Sequence, residues 1–261
     1  MNKTNKLFLH YDKHHAKPSY LRWNFLIKKY YSNVFSDIIC VNIIRDKNAL
    51  DNIRKKYKNG DYFLGKFGGS KLDFPIVSKM YPELIEIFKN RIYPCEKDYT
   101  YYENKKKQMK LFKEKGYSIP NSKWITHIDE LKNLTYPFIV KKSTGSGNTG
   151  VRLIRDEIDL KNNLFEIPFI MQEYIKNDAT LRLIVIGDKI FGYKRINDPD
   201  NCLVQPSTYA DFSYKMNKTL FDFVYKIYKD NGFISMSFDI IYNKENDKYY
   251  LLEISYTFAN A

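Results

Sequence analysis

Pro137-Phe138-Ile139-Val140-Lys141-Lys142, then Ser143-Thr144-Gly145-Ser146-Gly147-Asn148-Thr149-Gly150, then Val151-Arg152-Leu153-Ile154 reads as a strand, a loop of small residues and a returning strand. Three glycines and four hydroxyl residues let backbone amides close on an anion, with Ser and Thr adding donors. The loop lacks the Gly-x-x-x-x-Gly-Lys-Ser/Thr order of a P-loop and lies between strands instead of opening a helix. A hairpin lid over phosphates fits that context, and so does a plain glycine-rich hairpin. Period-two alternation sends Lys141 and Lys142 to opposite faces, so one ammonium of the pair aims at a ligand beneath the loop.

Working outward toward the C-terminus, Pro168 to Ile175 is apolar and extended. Leu181 to Ile186 and Lys189 to Lys194 are strands around the hairpin turn Gly187-Asp188. Lys215 to Lys229 has helical spacing through Leu220, Val224 and Tyr228, and Phe233 to Tyr242 pairs with Lys248 to Ile254 around the polar turn Lys244 to Asp247. Centring that hairpin near Asn246 places Asp239 opposite Glu253, with Ser237 and Ser255 on the same face. Acidic residues in strands this apolar need compensation. A bridging Mg²⁺ supplies it, as does a salt bridge to Arg182 or Arg195. At the end of the Pro168 run, Gln172-Glu173-Tyr174-Ile175 has the form of a nucleotide hinge, with Asp178 within reach of a ribose hydroxyl.

Toward the N-terminus, Asn104 to Gly116 is a basic helix with Met109, Leu111 and Phe112 on its apolar side, ended by Gly116. Before it, strands are expected at Lys6 to His10, Asp37 to Ile44 and Tyr62 to Lys66. They alternate with helices at Tyr20 to Tyr31, Ala49 to Tyr57 and Tyr81 to Phe88, the last starting near Pro82. This order predicts a partly parallel sheet. No Gly-x-Gly-x-x-Gly follows the first strand. The boundary between the two regions is placed between Tyr93 and Thr100, giving an α/β domain over 1–95 and a second domain over 96–261.

The 261 residues carry a net charge of +13, distributed unevenly: residues 1–150 are net +15 and residues 151–261 net −2. Lysine supplies 35 of the 43 basic side chains, whereas nucleic-acid readers favour arginine, so nucleic-acid binding ranks last. A basic front region suits an anionic substrate; a lysine-rich solvated surface explains it equally. Cys40, Cys95 and Cys202 have no CxxC spacing, and no run of 18 apolar residues exists, so a reducing, cytoplasmic setting without a transmembrane segment is expected. His10, His14, His15 and His127 lack metal-ligand spacing near a cysteine pair, which argues against a zinc site; they read as exposed loop histidines, with a place beside a substrate at a sheet edge as the alternative for His10 and the His14-His15 pair. No Gly-x-Ser-x-Gly elbow or evident cysteine nucleophile is present.

In order and spacing these pieces resemble the ATP-grasp superfamily, most nearly its carboxylate-amine ligase branch, which includes ribosomal-protein glutamate ligases and D-alanine ligases. The motifs are Asn104-Lys105, Gly116-Tyr117-Ser118-Ile119-Pro120, Pro137 to Lys141 with the loop to Gly150, Gln172 to Ile175, Leu181-Arg182-Leu183 with Gly187-Asp188, Phe238-Asp239 and Leu252-Glu253-Ile254-Ser255. The resemblance implies an α/β (α+β) ATP-grasp fold behind a small α/β domain, with a lid-bearing part over about 96–175 and a metal-binding part over 176–261. It implies ATP and Mg²⁺ as cofactors. Lys105, Lys141, Ser143, Gly145, Ser146, Gly147 and Gly150 would lie on the phosphates, Glu173, Tyr174 and Ile175 at adenine, and Asp178 at the ribose. Asp239, Glu253 and Ser255 would hold metal, with Arg182, Arg195 and Lys141 as catalytic groups.

The implied reaction activates a carboxylate as an acyl-phosphate and joins it to an amine. The acceptor is expected to be anionic: a sugar acid, a polysaccharide precursor or an acidic peptide. The segment Gly65 to Lys71 is a candidate for its pocket. A phosphotransferase acting on a hydroxyl and a non-catalytic nucleotide-binding protein are the alternatives, and a homodimer is expected because relatives commonly dimerise. Two departures stand out. Ser255 replaces the Asn that relatives carry, and the chain stops at Ala261 where relatives continue with a loop and helix, so substrate selection is expected to rest on the front region, on a partner, or on chain beyond a fragment.

Overall fold

A computed structural model describes residues 4–10, 18–67, 73–143, 150–198 and 210–257. The chain parts into two compact units between Tyr99 and Thr100.

The first unit alternates β1 (Lys6–His10), α1 (Pro18–Tyr31), β2 (Asp37–Val41), α2 (Ala49–Lys56), β3 (Tyr62–Leu64), α3 (Asp73–Phe88), β4 (Ile92–Tyr93) and α4 (Glu96–Thr100). Its four strands run parallel in the order β2-β1-β3-β4. Successive residues Leu7, Phe8 and Leu9 are all buried, as a central parallel strand covered on both faces requires. Phe88 seals the core, its ring 5.4 Å from both Phe8 and Phe63.

Two expectations need correction here. Pro82 lies inside α3 and does not start it. Val77, Tyr81, Leu84 and Phe88 recur at helical spacing and are all buried, so packing carries the helix through the proline. His10 is buried at 4% exposure, not an exposed loop residue; it closes β1, and its Nδ1 accepts from Ile43 N.

The second unit begins with α5 (Lys105–Glu114). A first antiparallel sheet then combines β5 (Ser122–Ile125), β6 (Phe138–Lys142), β7 (Val151–Ile154) and, after α6 (Glu157–Asn163), β8 (Phe169–Glu173), in the order β5-β8-β6-β7. One face of it holds the cluster Ile125, Phe138, Val140, Ile154, Phe165 and Phe169. β5 and α6 escaped the sequence reading because the first is four residues long and the second buries no side chain.

The second sheet, in the order β11-β10-β9-β12-β13, is built from β9 (Ala179–Ile186), β10 (Lys189–Ile196), β11 (Ala210–Asp211) and, after α7 (Lys218–Asn231), β12 (Ser235–Asn243) and β13 (Lys248–Ser255). Leu183, Phe238, Ile240 and Ile254 are buried on the face under α7, which contributes Leu220, Val224, Ile227 and Tyr228. Asp239 pairs with Glu253, but Ile240 pairs with Leu251. Leu252 is therefore an extra residue, and β13 changes the side its alternate residues face at that point.

Candidate active site

The cleft of the second unit starts from how α5 is held. The Asn104 side chain caps the helix by accepting from Lys107 N at 3.1 Å. Gln108, buried at 2%, treats the edge of β13 as another strand would. Its Oε1 accepts from Ile254 N and its Nε2 donates to Ile254 O, both at 3.0 Å, and Nε2 also donates to Tyr101 O at 2.7 Å. Lys105 lies one turn before Gln108 on the same helix face. It thereby reaches β13, with Nζ 3.6 Å from Glu253 Oε1.

Opposite, β6 divides its two lysines as alternation requires. Lys142 turns away and lies over the Phe165 ring at 5.0 Å. Lys141 enters a cleft of about 360 Å³, shared with Lys105, Gln108, Met109 and Phe112 of α5, Ile119 of the segment before β5, Ser122, Ile170 and Gln172 of the first sheet, and Leu251 and Leu252 of β13. Loss of hydration pushes the Lys141 ammonium down to about 8, against the pull of Glu253 and Asp239 and with the push of Lys105. Gln172 Nε2 donates to Ser122 Oγ at 2.9 Å, and Ser122 Oγ donates to Pro120 O at 2.7 Å, which fixes the polar side of an otherwise apolar wall. The sequence marked Lys105 and Lys141 but gave no sign of Gln108, Ser122 or the leucine wall, whose roles arise from strands and helices distant in the chain.

Beside this cleft, the face of the second sheet turned away from α7 is charged. Arg182 pairs in register with Asp239, its Nε and Nη2 donating to the two carboxylate oxygens at 2.5 and 2.6 Å. Arg195 Nη2 adds a contact to Oδ2 at 2.8 Å. Burial pushes the Asp239 carboxyl up, and the two guanidiniums outweigh it and hold it below its ordinary value. Arg195 Nε is buried with no hydrogen-bond partner among the described residues. Glu253, directly opposite Asp239, is a third exposed and accepts no hydrogen bond among the described residues. Glu103, which the sequence did not single out, is near it: burial and the Glu253 charge push its carboxyl up, with Lys105 opposing.

The remaining candidates are placed as follows. Glu173 sits at the end of β8 and its Oε2 accepts from Asn121 N at 3.0 Å. Ile175 is buried, and its carbonyl accepts from Asn177 Nδ2 at 2.7 Å. Tyr174 between them is half-buried. Asp178 Oδ2 is 3.3 Å from Lys244 Nζ on the surface, a partner the sequence did not reveal. Ser255 turns its hydroxyl onto Thr257, donating to Thr257 O at 2.8 Å and accepting from Thr257 N at 3.2 Å. Ser143 and Gly150 flank the loop, whose residues Gly145, Ser146 and Gly147 lie outside the described residues, as do His14, His15 and Gly68 to Lys71.

The donor chemistry fits one hard divalent cation. Mg²⁺ takes one or two carboxylates and fills its octahedron with water and phosphate oxygens. Among the described residues no three His, Cys, Asp or Glu side chains form a metal cage, and that mode of binding does not need one. Glu253 meets the requirement; Asp239, both of whose oxygens are taken by guanidiniums, and the Ser255 hydroxyl, engaged by Thr257, do not add to it.

Residues 102–254 match the family model of the RimK-like ATP-grasp domain. No curated protein matches the chain. Among solved structures, D-alanine–D-alanine ligase from Bacillus anthracis aligns over 97% of this chain and 86% of its own, with a TM-score of 0.67 and 15% identity. The macrocyclase MdnC from Microcystis aeruginosa MRC, bound with precursor peptide MdnA, aligns over 98% and 92%, at TM-score 0.67 and 13% identity. N5-carboxyaminoimidazole synthetase from Staphylococcus aureus, complexed with ADP, aligns over 100% and 72%, at TM-score 0.67 and 16% identity. At such identities the likeness is one of fold. The family match spans more than half of the 261 residues, and on that ground the chain belongs to the RimK-like ATP-grasp domain family.

Proposed function

We propose that the protein uses Mg²⁺-ATP to phosphorylate a carboxylate and then joins the acyl group to an amine. The observation that carries this reading is the convergence of Lys105 and Lys141 in an apolar-walled cleft that opens beside the Arg182–Asp239–Arg195 cluster and Glu253. In it, Leu251, Leu252 and Ile170 cover a base, while the two lysines hold phosphate oxygens. Mg²⁺, when bound, offsets the negative charge of the phosphates. Asp239 holds both guanidiniums in place, and Arg195 Nε is a donor left for an anionic group. A carboxylate oxygen attacks the γ-phosphorus and the bond to the β-phosphate oxygen breaks, releasing ADP. The amine then adds to the acyl carbon, inorganic phosphate departs, and the ammonium proton passes to solvent.

The acceptor in this reading is anionic: a sugar acid, a polysaccharide precursor or an acidic peptide. The net charge of +15 over residues 1–150 supports it, and Gly65, Lys66 and Phe67, which follow β3, are the described part of the segment picked out for its pocket. Free thiols at Cys40 and Cys95 favour a reducing compartment, and no helix among the described residues is long and apolar enough to cross a membrane.

Calorimetric titration of Mg²⁺-ATP into the wild type, Lys141→Met and Glu253→Gln tests the site, and hydroxylamine trapping with a panel of carboxylates tests the chemistry. Mg²⁺-dependent binding that weakens in both variants, with hydroxamate formed, is the expected result. No binding by folded protein overturns the reading, and turnover to ADP without hydroxamate replaces the ligase with a phosphotransferase.

A further inference from the structure

Glu103 stands out once the charges near the cleft are matched to partners. Its backbone is left-handed, with φ of 50°, a conformation that costs a non-glycine residue energy and persists where neighbours enforce it. Those neighbours are visible. Tyr101 O receives the Gln108 amide, the Tyr101 ring lies 6.1 Å from that of Phe233, and the Tyr102 ring packs 4.8 Å from Tyr256, just past the end of β13. The turn is thus bound to the strand that carries Glu253.

One oxygen of the side chain enforced there has no hydrogen-bond partner among the described residues. Glu103 Oε2 is buried and accepts no hydrogen bond, and the carboxylate makes no ion pair among the described residues. A carboxylate oxygen buried without a partner is costly and calls for an explanation. Its electrostatic neighbours are Glu253 and Lys105. At this end of the site Glu103 and Glu253 therefore draw on Lys105, the ammonium within ion-pair distance of Glu253, while the guanidiniums of Arg182 and Arg195 are already committed to Asp239. Ser255, two residues beyond Glu253, has turned its hydroxyl to Thr257. The chemistry that satisfies two adjacent carboxylates beside nucleotide phosphates is a divalent cation with oxygen ligands.

We propose that Glu103 is a further residue of the cation site, its carboxylate joining Glu253 in holding the Mg²⁺ that accompanies the nucleotide, in place of Ser255. The inference rests on the ATP-ligase reading and adds to it a ligand that comes from the turn before α5 instead of from β12 or β13.

The test uses the full chain with a non-hydrolysable ATP analogue and Mn²⁺ as the probe, free Mn²⁺ being followed by electron paramagnetic resonance. Glu103→Gln is expected to weaken Mn²⁺ binding at least ~10-fold, the difference a lost carboxylate ligand makes when ~1.4 kcal/mol is tenfold. Ser255→Ala is expected to stay within about twofold of the wild type by the same measure. Thermal unfolding without metal serves as the second readout: Glu103→Gln removes an unpartnered buried charge, so its midpoint should match or exceed that of the wild type. A lower midpoint, or Mn²⁺ affinity unchanged in Glu103→Gln while Glu253→Gln weakens it, overturns the role of Glu103 and leaves the ligase reading standing. Unchanged affinity in both Glu103→Gln and Glu253→Gln removes the metal site itself.

Discussion

Asp239 and Glu253 form a register pair across β12 and β13, yet the two ends of that pair differ in how completely the protein answers their charge. Asp239 accepts three hydrogen bonds from two guanidiniums. Glu253 has one ammonium at 3.6 Å, with Glu103 drawing on the same charge. The first end is saturated and holds the arginines in place. The second leaves charge for a ligand to match. Position in the strand pair therefore does not set a carboxylate's role; the count of cations around it does.

The sharpest way to break this contrast is to remove the saturated end. Asp239→Ala leaves two buried guanidiniums without their acceptor and should lower the unfolding free energy by about 3–5 kcal/mol in a urea titration; a loss below ~1 kcal/mol would mean that the arginines find other partners. Gln108→Ala should cost about 1–3 kcal/mol, because the Ile254 N–H and C=O lose their partner, and should weaken Mg²⁺-ATP binding as Lys105 loses its anchor.

Lys141 gives a pH signature between the two ends. Its folded value of about 8 lies below the ordinary 10.5. Below pH 8 both folded and unfolded chains hold the proton, and the folded one bears the cost of desolvation. Between about 8 and 10.5 only the unfolded chain holds it, so stability should rise with pH across that window and Lys141→Met should flatten the rise. Nucleotide affinity should move the opposite way, falling above pH 8 as the ammonium is lost. Glu253→Gln, at the unsaturated end, should change stability by less than ~1 kcal/mol while removing Mg²⁺-dependent nucleotide binding. Smallest of all, Lys244→Ala should shift stability by no more than about 0.5 kcal/mol, its pair with Asp178 being exposed.

What the sequence disclosed follows from the range of its signals. Lys141 was legible because alternation within one strand separates it from Lys142, and the Asp239–Glu253 pairing because a short hairpin fixes register. Pro82 and His10 misled for the same reason: a local preference for helix starts and for exposed loops was overruled by burial against residues far along the chain. Gln108 and Glu103 left no local trace. A glutamine on a basic helix and a glutamate in a tyrosine-rich turn look like surface residues until β13, some 146 positions on for Gln108, comes alongside.

The bulge at Leu252 settles which length changes this hairpin tolerates. Because β13 switches sides there, Leu252 lines the cleft and the next residue, Glu253, points toward Lys105, while Leu251 and Ile254, three apart, both remain buried at 1% exposure. Deleting Leu252 would restore strict alternation with Glu253 still opposite Asp239 and Leu251 still opposite Ile240, so the loss would fall on the apolar wall of the cleft and not on the packing under α7. The polar tip from Lys244 to Asp247 is under no such restriction. Insertions and losses can therefore accumulate at the tip, whereas the extra residue between Leu251 and Glu253 gives up regular pairing to add one apolar side chain to the cleft.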